Sequence, residues 1–192
     1  MASRVGWFAL GFIGAIVALA AGAYIYIRAG GVPMATSAAP LPLEKTIAGL
    51  ALEASYGNAA QQKTPFQADE ANLLVGARTY TEYCSVCHGG PQAAPTAIAK
   101  GMFPPPPQLF EQLITGDPEG ITFWKVTNGI RMTGMPAFQH ALSDTERWQV
   151  TMLVAHADKL QPEVQTAIQP RPSDVACDAC DASRSRSPRV NY

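Results

Sequence analysis

Cys84-Ser85-Val86-Cys87-His88 is the stretch on which this sequence turns. Two thiols three residues apart, followed at once by an imidazole, form the attachment signature of a c-type haem. The spacing has a mechanical basis. On one helical turn both sulfurs reach the two vinyl groups of a porphyrin and form thioether bonds, and His88 then lies under the iron as its proximal ligand. A thioredoxin-like redox pair would want a βαβ setting, and half a zinc site would want two more ligands at similar spacing nearby. The surrounding sequence offers neither.

A haem that only shuttles electrons gains from two strong protein ligands, because both oxidation states then keep one geometry. A thioether sulfur also favours the ferrous state and raises the potential relative to bis-imidazole ligation. Met135 is the expected distal ligand. It sits in Arg131-Met132-Thr133-Gly134-Met135-Pro136-Ala137-Phe138. Gly134 permits close backbone approach and Pro136 stiffens the loop. Met132 is the rival. Met102 lies in the proline-rich loop and comes too soon. His140 and His156 would give a bis-histidine site, and His156 falls inside a helix. The alternative reading is a haem enzyme or a gas or redox sensor with an open sixth position. A third is an anchor subunit with a vestigial haem.

Periodicity predicts an all-α domain over residues 69–162. Its first helix starts at Asp69 and carries Leu73, Ala77, Tyr80 and Cys84 on one face into the haem motif, ending at Gly89-Gly90-Pro91. A loop with four consecutive prolines at 104–107 follows, read as a stiff entry to the next helix. Gln108–Thr115 reads as a short helix. Asp117-Pro118-Glu119 supplies an N-cap candidate, a proline at the first helical position and an acid in the first turn. Ser143-Asp144-Thr145-Glu146 is a capping box that opens the last core helix, which Pro162 ends.

Ahead of this domain, Val5–Ile27 is free of formal charge. A membrane span needs roughly 20 such residues, whereas the apolar part of a cleaved signal peptide runs about 7–15. Residues 1–28 are therefore read as an uncleaved anchor with a transmembrane helix over about 5–27. Trp7, Tyr24 and Tyr26 lie near its ends, as interface aromatics do. Residues 29–68 read as a linker: Ala29–Pro42 is a flexible tether, Leu43–Tyr56 a candidate short helix, and Asn58–Gln67 polar. That helix would carry Leu43, Ile47, Leu50 and Ala54 on one side, packed on the domain or laid on the membrane surface. Residues 163–192, rich in Pro, Ser, Arg and Asp from Pro170 on, read as a disordered tail.

Charged residues are 15% of the whole, against about 25% in ordinary soluble domains, in keeping with an anchor. Setting aside Arg4 and Arg28 leaves 12 basic and 15 acidic residues after the span, a net charge of −3. No basic patch suggests nucleic acid. Thioether attachment takes place outside the cytoplasm, so the haem domain is expected on the periplasmic side of the inner membrane of a bacterium, on a single-pass anchor.

Together these motifs resemble the class I cytochromes c. The resemblance rests on Gly76-x-x-x-Tyr80, Cys84-x-x-Cys87-His88-Gly89, the stretch Asn128–Phe138 and a closing helix with Trp148. It spans about half the chain, and Asn128–Phe138 is similar to bacterial membrane-anchored monohaem types. The resemblance implies one covalent haem c held by Cys84 and Cys87, with His88 and Met135 on the iron. It implies electron transport in a respiratory chain rather than catalysis. Redox partners would be an oxidase, a quinol-oxidising complex or a dehydrogenase. It further implies that the first and last helices cross near Gly76, beside Tyr80 and Trp148 or Met152. A proline carbonyl, from Pro91 or Pro95, would hold His88. Trp124, Arg131 or Trp148 would bond a propionate. Cys177-Asp178-Ala179-Cys180 repeats the thiol spacing, but Asp181 replaces the histidine. A short-loop disulfide is the expected use.

Overall fold

A computed structural model describes residues 2–111 and 117–168, and every regular element among them is helical. The chain divides into two compact units, one ending at Ala48 and the other beginning at Gly49.

In the first unit, α1 (Ala2–Arg28) is a continuous helix with its large apolar side chains exposed. The stretch Arg4–Arg28 is long and apolar enough to cross a membrane. Its 25 residues rise about 38 Å at 1.5 Å each, more than the roughly 30 Å of bilayer hydrocarbon. The helix α2 (Glu44–Ser55) follows and straddles the boundary between the units.

The second unit is built around α3 (Glu70–Tyr83), α6 (Glu119–Asn128), α7 (Asp144–Ala155) and α8 (Pro162–Ala167), with the one-turn helices α4 (Ser85–His88) and α5 (Ala97–Lys100) between α3 and α6. Asp69 caps α3, its carboxylate accepting from the Asn72 N–H at 2.8 Å. The stripe Leu73, Ala77 and Tyr80 then turns inward onto Val150, Met152 and Leu153 of α7. A Cβ at Gly76 would strike the Gln149 carbonyl, so α3 and α7 cross where the sequence has no side chain. Along α7, Phe123 of α6 stacks on Trp148 with ring centres 4.0 Å apart. Buried Arg147 donates to the Thr127 hydroxyl at 2.8 Å, lies over the Phe123 ring and pairs with Asp144.

Several expected boundaries move. The first helix breaks at Cys84 instead of running unbroken to the glycines, because Cys84 becomes the cap from which α4 starts. Pro118, not Asp117, is the N-cap of α6, and the Asp117 carboxylate pairs with Lys125 at 2.6 Å. The described part of the expected 108–115 helix, Gln108–Glu111, is a turn; residues 112–116 lie outside the described ones. The last core helix stops at Ala155, and Pro162 opens α8 rather than closing its predecessor. Val164 and Ile168 are buried in the same core as Tyr80 and Leu153, so the domain runs past 162 and the tail begins later than 163.

The second half of the 29–68 linker needs a similar correction. The 3-10 turn Ala59–Gln61 packs so closely on α6 that a Cβ at Gly120 would strike the Ala59 carbonyl. Tyr56 meets Trp124 edge-on at 5.3 Å. The Thr64 hydroxyl reaches the Met152 sulfur at 3.3 Å. Small and aromatic residues within an otherwise polar stretch thus join it to the core.

Two measurements follow from this packing. Gly76→Ala is expected to cost about 1–3 kcal/mol in urea denaturation, since overpacking against a backbone carbonyl outweighs the gain in helix propensity. At the start of α7 the capping box forms as its residues predict, with Ser143 N–H to the Glu146 carboxylate at 2.8 Å and Glu146 N–H to the Ser143 hydroxyl at 3.3 Å. The Ser143 hydroxyl and backbone hold the Glu146 carboxyl below its ordinary pKa. A carboxylate depressed in the folded state stabilises the fold above its unfolded pKa, and that contribution is lost as the pH falls through the folded value. Ser143→Ala is therefore expected to cost about 1 kcal/mol at neutral pH, with the deficit shrinking below about pH 4.3.

Candidate functional site

The proximal wall starts with α4. The Cys84 break lets Ser85–His88 form its own turn, and the two cysteines and His88 line one cleft. Gly89 ends the turn at φ +71°, and a Cβ there would strike the Gln108 side chain. The Tyr80 hydroxyl, buried beneath, donates to the Gly89 carbonyl at 2.8 Å. Burial, then the Cys84 and Cys87 thiols, push that hydroxyl's pKa well up, so it stays protonated and remains a donor.

His88 takes its orientation from the proline run. Its Nδ1 lies 2.9 Å from the Pro107 carbonyl, so Nδ1 carries the proton and Nε2 is the nitrogen left to bind a metal. Burial pulls the His88 pKa down, opposed by this hydrogen bond, and the ring is neutral at pH 7. The partner is thus Pro107, not Pro91 or Pro95. Those two follow α4 too closely, whereas the run at 104–107 returns alongside it.

Prolines carry no N–H, so this run cannot secure itself by backbone donation. Gln108 supplies the missing donors: its Nε2 reaches the Cys87 carbonyl at 3.1 Å and the Pro106 carbonyl at 3.2 Å. The Leu109 N–H reaches the His88 carbonyl at 3.3 Å. Pro104, Pro105 and Pro106 also line the cleft. The run is part of the site, a role its composition did not disclose.

The distal wall is the loop after α6. Ile130 N–H donates to the Met135 carbonyl at 3.1 Å, and Met135 N–H to the Thr133 hydroxyl at 3.1 Å. Phe138 N–H returns to the Val126 carbonyl at the end of α6. Met135 is therefore held at both ends, and it lines the same cleft as Cys84, Cys87 and His88. Met132 is 82% exposed and points elsewhere. Met102, set aside in the sequence, also lines the cleft, and its methyl occupies the space that a Cβ at Gly134 would need. Only the empty place at Gly134 in the sequence hinted at it. His140 is exposed, and His156 bonds the Met152 carbonyl at 2.9 Å at the end of α7. Trp124, Arg131 and Trp148 do not line the cleft: Trp124 packs on Tyr56, Trp148 on Phe123, and Arg131 is exposed. Cys177 and Cys180 lie outside the described residues.

Tyr80, Tyr83, Met102, Pro104, Met135 and Phe138 are among the residues that enclose the cleft. Its lining is mainly proline, aromatic and thioether side chains, which suits a flat apolar macrocycle. The donor set, a neutral imidazole and thioether sulfurs, suits haem iron. Burial, then the Cys87 thiol, push the Cys84 thiol up to about 12. A raised thiol is a poor nucleophile, so Cys84 is not set up as the attacking thiol of a redox pair. Among the described residues no group of three His, Cys, Asp or Glu side chains is gathered for a metal ion.

Residues 71–152 match the family model described as Cytochrome C oxidase, cbb3-type, subunit III. The matched stretch is less than half of the chain and contains Cys84, Cys87, His88 and Met135. No characterised protein matches the chain. The match supports a cytochrome c domain, and with it haem binding and electron transport; the all-helical fold agrees.

Gln108→Ala should cost about 1–3 kcal/mol, because it strips donors from two carbonyls. It should also speed solvent exchange of the His88 ring N–H, followed by NMR, as the Pro107 carbonyl loosens.

Proposed function

We propose that this chain is a membrane-tethered one-electron carrier with a single haem c. Cys84 and Cys87 would form the thioethers, His88 the proximal ligand and Met135 the distal one. When bound, the haem supplies an iron that alternates between ferric and ferrous states. The observation that carries the reading is the convergence of these four side chains on one cleft from walls 47 residues apart in sequence.

The protein's own residues do the remaining work. Pro107 fixes the His88 ring and leaves Nε2 to the metal. The Ile130–Met135 and Phe138–Val126 backbone bonds hold the Met135 sulfur through a change of oxidation state, which keeps reorganisation small. Pro104–Pro106 and Met102 exclude water from the cleft. No substrate bond is made or broken.

The subunit III match speaks for a membrane oxidase complex as the setting. The apolar α1 speaks for a tether in the inner membrane with the domain on the periplasmic side, the compartment where thioethers are made. An oxidase, a quinol-oxidising complex or a dehydrogenase would exchange electrons with it.

Met135→Ala provides the test. The ferric wild-type protein is expected to show the weak sulfur-to-iron charge-transfer band at the red edge of the visible spectrum. The variant should lose that band and, once reduced, bind carbon monoxide rapidly. Rapid carbon monoxide binding by the unmutated ferrous protein would instead indicate an open sixth position, as in a sensor or enzyme.

A further inference from the structure

Between the two cysteines of α4, the Val86 carbonyl accepts from the Thr96 hydroxyl at 2.6 Å. That hydroxyl also accepts from the Ala99 N–H at 3.1 Å and so caps α5. One side chain thus seats α5 on the proximal wall, with Ala99 buried beneath. Met102 leaves the end of α5, its N–H on the Ala99 carbonyl at 3.3 Å. Its half-buried side chain lines the cleft and lies along Gly134 of the distal loop. The three atoms nearest to the place of a Cβ at Gly134 are all Met102's: Cε, Sδ and Cγ. Gly134 directly precedes Met135. A strut of contacts therefore runs from the turn between the cysteines to the residue beside the proposed distal ligand.

We infer that Met102 is a positioning residue for Met135: packed on Gly134, it restrains the distal loop and keeps the Met135 sulfur on the iron. The inference rests on reading Met135 as the distal ligand. Glycine has the widest choice of backbone torsions of any residue, so Gly134 is the joint at which the loop bends most easily. The Met102 side chain occupies the space into which that joint would fold. An unbranched thioether conforms to such a backbone hollow, and leucine, close to it in volume, fills most of the same space. Without Met102 the joint is freed, and the fraction of molecules with Met135 off the iron rises. Thr96 supports this role from the other end, because it fixes α5 and hence the base of the strut.

The test titrates full-length, haem-loaded ferric protein with imidazole and follows the absorption spectrum. Imidazole takes the distal position only where Met135 has left it, so its apparent Kd is the open-site value divided by the fraction open. Met135→Ala supplies the open-site value. Met102→Ala is expected to tighten imidazole binding about tenfold, and Met102→Leu to restore affinity close to that of the wild type. In the Met135→Ala background, Met102→Ala should change nothing. If Met135→Ala tightens binding but Met102→Ala does not, the inference is overturned and the ligand reading stands. Tightening by Met102→Ala that persists in the Met135→Ala background would also overturn it, since Met102 would then only screen the cleft. Gly134→Ala displaces the Met102 methyl from the opposite wall and serves where Met102→Ala takes up no haem. It too should tighten binding, and wild-type affinity there would count against the inference. Imidazole binding by Met135→Ala no tighter than by the wild type would overturn the ligand reading and the inference with it.

Discussion

The hydrogen bond from the His88 ring to the Pro107 carbonyl, at 2.9 Å, is the contact on which the site depends. It fixes which ring nitrogen is available and pins a proline run to α4. That run has no donors of its own, so buried Gln108 completes the attachment through the carbonyls of Cys87 and Pro106. Gly89 makes room for Gln108, and the Tyr80 hydroxyl holds Gly89 from below. Tyr80 in turn belongs to the core where α3 meets α7. One chain of contacts thus runs from the central helix crossing to the imidazole.

The distal side is built by different means. Its loop is secured by its own backbone, with Ile130 N–H on the Met135 carbonyl and Phe138 N–H on α6. Thr133 caps the turn beneath Met135. The two walls face each other across the cleft, and each has anchoring hydrogen bonds on its own side. Such an arrangement suits a rigid two-ligand site, because neither wall must move when charge at the centre changes.

Much of this was legible in the residues. The haem motif, the capping box and the Asp69 start of α3 each announce themselves through short-range chemistry, and the crossing at Gly76 came with the resemblance. What stayed hidden depends on long-range return of the chain. No local pattern says that Pro107 rather than Pro91 will pass beside His88, since both are prolines in irregular segments. Met102 looked too close to the motif to reach the distal side, yet a missing side chain at Gly134 admits it. Pro162 reads equally as a stop and as a start, and only the burial of Val164 decides. Ala59 and Thr64 sit in polar surroundings, and their role emerges only when α6 and α7 are placed beside them.

We propose that one haem is bonded to both Cys84 and Cys87. Intact-mass spectrometry of the acid-denatured protein, followed by sequencing of the peptide that carries Cys84–His88, tests it most directly. The expected mass exceeds that of the polypeptide by one haem, with the addition on both cysteines of that peptide. A polypeptide of unmodified mass from which acidified solvent has extracted the haem would contradict it.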